Sequence, residues 1–240
     1  MIAKIYSAIP QGYDGSIIEV EGDINKGLPC LNIVGMANKT VSESRERVRS
    51  AITSSGFAFP THKMTINLAP AELTKDGSHL DLPIALTILI LSGQLLQQNT
   101  ENYLFVGELS LDGQTKPIRG IINIVEAAKR SGCTEVYLPK ANLDQASLIP
   151  GIKLYGVSNL LELYLHLCQI KPLAPYSNDN SCTQAPSVSV ISPVVKNNYT
   201  EVNSSDTPTL DDIKGQKLAK RALTIAIAGH HNILLSGPPG

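Results

Sequence analysis

Apolar positions along the chain recur at two periods, and the changes between them mark the elements. Residues 3–9 and 16–21 alternate and predict a pair of strands, with a third over Cys30–Val34. Residues 40–54 put Ser44, Arg45, Arg47, Val48, Ala51 and Ile52 on one helical face. Thr40 is the expected N-cap of that helix, Glu43 its capping-box partner and Gly56 its stop. Residues 64–68, Met-Thr-Ile-Asn-Leu, alternate again as a strand. A helix over residues 82–91 follows, with Asp81 as cap and Pro83 in its first turn. It is apolar nearly all round, which predicts a central position buried on most faces. Further along come a strand over 103–110, a helix over 121–130 ended by Gly132, and short strands over 135–138 and 153–156. A last helix over 159–167 has Ser158 as expected cap. The hairpin start and only partial alternation of strand and helix favour a mixed sheet carrying helices, an α/β (α+β) fold, over a purely parallel doubly wound one.

The pattern fails after residue 168. Residues 169–208 carry Pro172, Pro175, Pro186, Pro193 and Pro208 among many Ser and Asn, the composition of a linker, although 187–191 alternate and have the makings of a strand. Ordered patterning returns at 209. The expected organisation is therefore a domain over 1–168, a linker over 169–208 and the start of a second module over 209–240.

Composition narrows the function classes. Of 240 residues 42% are apolar and 17% charged, with a net charge of -1. Such a balance exerts no long-range pull on nucleic acid or anionic lipid, so any DNA contact needs a local basic patch or a partner domain. Cys30, Cys133, Cys168 and Cys182 form no Cys-x-x-Cys pair and stand beside no His cluster, which predicts scattered buried thiols in a reducing cytosol and no metal site. The N-terminus shows no signal-peptide pattern, and the apolar run over 82–91 is short of the ~20 residues of a membrane span. A soluble cytoplasmic protein is expected.

The chemistry-bearing signal is at the end of the sequence. Asn232-Ile233-Leu234-Leu235 reads as a buried strand running into Ser236-Gly237-Pro238-Pro239-Gly240. Gly237 and Gly240 fit the first and fourth positions of the phosphate-binding loop Gly-x4-Gly-Lys-[Ser/Thr], in which backbone N–H groups cradle phosphate oxygens. Upstream, Asp211 to Gln216 read as a loop, and a helix continues through Ala228 to a stop at Gly229. His230 and His231 are expected to be structural or solvent-facing.

The unit from Ile213 to Gly240 resembles the start of an AAA+ module, and its Ala226-to-Asn232 run is similar to the Mg-chelatase-related branch. In such modules the Ile213, Gly215 and Gln216 positions lie against the adenine, and Gly237, Pro238, Pro239 and Gly240 begin the phosphate loop. The first domain adds Gly35-Met36-Ala37 with the Ser42-to-Arg49 helix, Asn67-Leu68-Ala69-Pro70-Ala71, Asp81-Leu82-Pro83-Ile84-Ala85-Leu86, Gly107-to-Gly113 and Pro117-Ile118-Arg119-Gly120. Together these resemble the ComM/YifB family of Mg-chelatase-like ATPases. The resemblance implies a first domain like that of Lon protease, with the fold of ribosomal protein S5 domain 2, followed by an AAA+ module. It implies ATP and Mg²⁺ as ligands of the full-length protein, and a homo-hexamer driving DNA branch migration in natural transformation. Without the phosphate-loop Lys, Walker-B carboxylate or arginine finger, residues 1–240 alone are expected to bind ATP weakly and hydrolyse none.

Likeness to Lon raises peptide hydrolysis as a rival, since Lon-type proteases pair a Ser nucleophile with a Lys base. The comparable loop here is Lys75-Asp76-Gly77-Ser78-His79-Leu80-Asp81. His79 falls at the nucleophile's place, Ser78 is one place early, and Ile122 takes the place of the lysine. An apolar side chain takes no proton from a serine, so no catalytic residue is assigned. Ser78 and Asp81 are expected to cap the buried helix, Lys75 and Arg119 to be solvated or DNA-facing, and Arg45, Arg47 and Arg49 to form a solvated face open to phosphate. A non-catalytic domain serving DNA binding or assembly is the third reading.

Overall fold

A computed structural model describes residues 2–12, 14–35, 39–75, 77–96, 102–176, 210, 213–234 and 236, with backbone only over 39–42. The expected alternation at 187–191, most of the expected linker, the Thr40 cap and residues 237–240 lie outside the described residues and side chains. Two compact units are present, Met1–Gln184 and Ala185–Gly240.

The first unit is built on a seven-stranded mixed sheet. Strands β1 (Ile2–Gln11) and β2 (Asp14–Asn25) form the expected antiparallel hairpin. β3 (Cys30–Val34) and β4 (Lys63–Ala69) flank helix α1 (Lys39–Ser54) and pair in parallel, and β4 runs antiparallel to β2. After helix α2 (Asp81–Leu91) come β5 (Tyr103–Phe105), β6 (Glu108–Leu109), β7 (Thr115–Lys116), helix α3 (Ile121–Arg130) and β8 (Glu135–Pro139). A single 3-10 turn at Lys140–Asn142, short α4 (Leu143–Ala146), β9 (Lys153–Val157) and α5 (Leu160–Leu167) complete the unit. Strand order is β3-β4-β2-β1-β5-β8-β9, with β6 and β7 as a separate small ribbon.

Period-two alternation sends each strand's side chains into two different cores. Ala3, Ile5, Ile18, Val20, Met64, Ile66 and Leu68 face α1, α2 and α5, while Ala8, Leu104, Val136 and Leu138 face α3 and α4. Every residue of α2 is buried, as its apolar circumference predicts. Two glycines of β2 let helices approach on opposite faces. A Cβ on Gly22 would stand 2.5 Å from the Thr87 methyl of α2, and one on Gly15 would stand 2.4 Å from the Asn123 carbonyl oxygen of α3.

Four local expectations are corrected. The strand expected over 103–110 is broken at Gly107, because its N–H donates to the His79 carbonyl (2.9 Å) and its carbonyl accepts from the Leu82 N–H (3.0 Å). Those groups close the N-terminus of α2 instead of a sheet ladder. Asp81 is consequently not the cap of α2 but its first residue, and the preceding Leu80 makes no side-chain cap bond. The cap of α5 is Asn159, whose Oδ1 accepts from the Glu162 N–H (2.8 Å), while the Ser158 N–H donates to the Glu162 carboxylate (2.7 Å). Of the thiols, Cys133 and Cys168 are half-buried but Cys30, on the edge strand β3, is exposed; Cys182 lies outside the described residues.

Parallel register stacks Phe105, Tyr137 and Tyr155 across β5, β8 and β9, with centroids 4.8 and 4.9 Å apart. His166 of α5 closes this ladder, with Nε2 3.0 Å from the Tyr137 hydroxyl. Its Nδ1 accepts the Leu173 N–H at 2.8 Å and so carries no proton. Residues 169–176 thereby lie along the domain, and the Tyr176 N–H donates to the Leu154 carbonyl. Burial lowers the His166 pKa below the ordinary 6.5, with Glu135 opposing. The folded protein therefore takes up this proton less readily than the unfolded chain. The stability His166 contributes is complete above the ordinary value and is lost as pH falls below it. Thermal unfolding followed from about pH 7 to about pH 5 is expected to show a falling midpoint, with a shallower fall in His166→Gln.

In the second unit α6 (Lys217–Ala228) forms as expected and ends at Gly229. The strand expected over 232–235 is not formed among the described residues. Residues 231–234 have no ladder partner among the described residues, and Leu234 is 90% exposed. A strand exists only through the neighbour it bonds.

Candidate functional site

The N-terminus of α2, the β6–β7 ribbon and the turn before α3 bring the Lon-like loop together with the turn over residues 117–120. His79 Nε2 lies 3.1 Å from the Arg119 carbonyl oxygen. A carbonyl only accepts, so Nε2 is the donor in this contact. Nδ1 is buried and has no partner among the described residues. Ile122, the second residue of α3, is 40% exposed rather than in the core.

Neither element of a serine–lysine pair is poised. The Ser78 hydroxyl donates to the Glu108 carboxylate, so it neither caps α2 nor meets an amine. Lys75 is corrected most: expected in solvent, it is fully buried, and its Nζ donates to the Pro70 carbonyl. Burial pushes its pKa below the ordinary value. Its partner is a backbone carbonyl next to β4, which gives it no route to an attacking hydroxyl. Arg119 is exposed as expected.

Behind the loop lies an ion pair that sequence reasoning missed. Arg47 turns inward from the basic stretch of α1 and grips Asp81 twice, Nε to Oδ2 at 2.9 Å and a terminal nitrogen to Oδ1 at 3.1 Å. The same guanidinium donates to the Ser44 hydroxyl (2.9 Å), and the Leu109 N–H donates to Asp81 (3.3 Å). Burial pushes the Asp81 carboxyl up, against the pull of Arg47, Ser44 and the Leu109 amide. The hydrogen bond to Asp81 in turn raises the Arg47 pKa. The first shift favours a neutral acid and the second an ion pair. The two-point geometry decides for the ion pair. A clue was present in the spacing: Arg47 lies between the buried Ser44 and Val48 on α1, so its face was inward.

The residues expected on the adenine side lie in the second unit. Ile213 is 44% exposed, Gly215 has φ 73°, and Gln216 has φ 47° as the N-cap of α6. These three share one turn, whereas Gly237 to Gly240 lie outside the described residues. Gly229 ends α6, with the His231 N–H donating to the Ala226 carbonyl at 2.8 Å. Among the described residues no three His, Cys, Asp or Glu side chains converge as a metal site, and no helix is long and apolar enough to cross a membrane.

A family profile described as subunit ChlI of Mg-chelatase matches residues 20–142, more than half the chain. The chain belongs to the Mg-chelatase subunit ChlI family. A second profile, magnesium chelatase subunit ChlI, matches residues 209–240. Among ChlI-family relatives the competence protein ComM of Haemophilus influenzae is 37% identical over 241 residues, and YifB of Escherichia coli K12 is 36% identical over 240. Both alignments cover the whole of this chain, which spans 44% of the ComM protein and 43% of YifB. The Lon-like first domain has its counterpart too: a Lon protease of Chloroflexus aurantiacus is 29% identical over 188 residues, 75% of this chain and 22% of that protein. The ComM/YifB resemblance and the mixed α/β fold with a Lon-like first domain are thus both met.

Proposed function

We propose that this chain is the first part of an ATP-driven AAA+ motor acting on DNA, of the ComM kind, in which the Lon-like domain has no proteolytic role. The observation that carries the reading is the emptied dyad: Ser78 is bound to Glu108, Lys75 to Pro70, and Ile122 stands at the lysine's place. A domain with this loop framework and without its nucleophile and base serves binding or assembly. The turn of Ile213, Gly215 and Gln216 suits the adenine side of an ATP site. Its half-exposed apolar side chain can lie on a base, and its left-handed backbone leaves amides free of helix bonding. Gly237 and Gly240 supply the glycines of the phosphate cradle, and Mg²⁺ with ATP completes the site in the longer protein. Homo-hexamer formation, DNA as partner and a cytoplasmic location belong to the same reading.

A polypeptide extended to the length of its relatives is expected to hydrolyse ATP, and DNA is expected to raise the rate at least about tenfold. Residues 1–240 alone are expected to hydrolyse none. A turnover rate indifferent to DNA in the longer protein would remove DNA from the proposal.

A further inference from the structure

The net charge of -1 hides a local concentration of cations at one end of the sheet. With Arg47 turned inward, Arg45 and Arg49 point out from α1, one helical turn apart, into a cavity of about 280 Å³. The floor of that cavity is Cys30 and Leu31 of edge strand β3, and its far wall is Phe59 to Thr61. The Arg49 guanidinium carbon lies 5.3 Å from the Phe59 ring centroid. The same Phe59-to-Thr61 segment forms a wall of a second cavity, of about 480 Å³, which runs on to His62 and Gln94. Lys63 pairs in register with both Cys30 and Asn25, so its exposed side chain stands at this end of the sheet, with Lys26 in the adjoining turn. No ion pair occupies Lys26, Arg45, Arg49 or Lys63 among the described residues. Glu46 is the acid that lines the first cavity, and Arg45 and Arg49 outnumber it.

Two arginines in one cavity, with Lys63 exposed at the same end of the sheet and the Phe59 ring under the Arg49 guanidinium, match the needs of a polynucleotide strand. Phosphates are neutralised by Arg and Lys, and bases stack on aromatic faces or guanidinium planes in a sequence-tolerant way. A cavity of 280 Å³ is small for a drug-sized ligand and admits about one nucleotide unit, so an extended ligand would pass through rather than be enclosed. A duplex cannot present a base to Phe59 without unstacking it. We propose that this end of the first domain binds single-stranded nucleic acid, with phosphates on Arg45, Arg49 and Lys63 and a base against Phe59 and the Arg49 guanidinium. The proposal deepens the motor reading and rests on it, giving the first domain the contact with an unpaired strand.

The test is fluorescence anisotropy with the full 240-residue chain and a labelled oligo-dT of about 20 nucleotides. Binding is expected to be salt-sensitive and stronger than to a duplex of equal length. Arg45→Ala with Arg49→Ala is expected to weaken it about tenfold or more and to reduce the slope of log K against log salt by about 1.4, or about 0.7 per lost phosphate contact. Arg45→Lys with Arg49→Lys keeps the slope. Phe59→Leu, which preserves packing, weakens binding about fivefold with the slope unchanged. The proposal is overturned if the double Ala variant, melting like the wild type, binds the strand equally well, or if the wild type binds none at low salt. Displacement by dTMP at micromolar concentration would make the occupant a free nucleotide, and equal competition by a poly-Glu peptide would make it an acidic segment; either overturns the strand assignment. The motor reading fails on a separate observation, the indifference of ATP turnover to DNA in the longer protein.

Discussion

Arg47→Ala is expected to cost about 3 kcal/mol, the largest single effect of any polar substitution in the first domain. Asp81 is completely buried and Arg47 is 23% exposed, so deletion of the arginine leaves a carboxylate in the interior with only the Leu109 amide and nearby hydroxyls to hold it. Breaking such a pair by removing one partner leaves the desolvation cost of the other uncompensated. At about 2–4 °C per kcal/mol for a domain of this size, the thermal midpoint should fall by about 6–12 °C. Removing both charges tests the cause. Arg47→Met with Asp81→Asn should recover much of the loss, since no isolated charge remains. A loss below about 1 kcal/mol in the single variant would show that the pair is solvated and that α2 is not anchored through it.

Leu86→Ala in α2 should be at least as costly, about 3–4 kcal/mol. Leu86 is fully buried in a helix whose eleven residues are all buried, between the sheet on one side and α1 on the other. A cavity there cannot close by moving the helix, because Gly22 already lets Thr87 and Leu91 pack against the sheet at contact distance. Chemical denaturation should show a lower midpoint at an unchanged slope. A loss under about 1.5 kcal/mol would mean that the layer repacks freely.

Much of this architecture was legible because its signals are local. The alternation of β1, β2 and β4 and the all-apolar α2 each follow from period and composition. The aromatic ladder of Phe105, Tyr137 and Tyr155 was not legible, because it depends on which strands become neighbours. Two features misled for the same reason. Asp81 stands at the start of a helix and reads as its cap, yet a carbonyl from Gly107, 26 residues further on, does that work and frees the carboxylate for Arg47. Lys75 reads as a surface cation in a loop, and only tertiary packing buries it against Pro70. The candidate site divided likewise. That His79 and Ile122 fall where a serine–lysine pair is expected is a reading by position alone, and the 3.1 Å contact between His79 and Arg119 shows that the two loops do meet. The cationic cavity was not readable, since Phe59 and the edge strand β3 are brought beside Arg45 and Arg49 only by tertiary packing.

We propose that a Lon-like framework without its catalytic pair serves a DNA motor rather than a protease. It is tested most directly by incubating the protein, extended to the length of its relatives, with ATP and either a three-stranded DNA branch or casein. Branch movement that stops with a non-hydrolysable ATP analogue is expected, with the casein left intact. Casein cleavage that is abolished by Ser78→Ala, with a stationary branch, would contradict it.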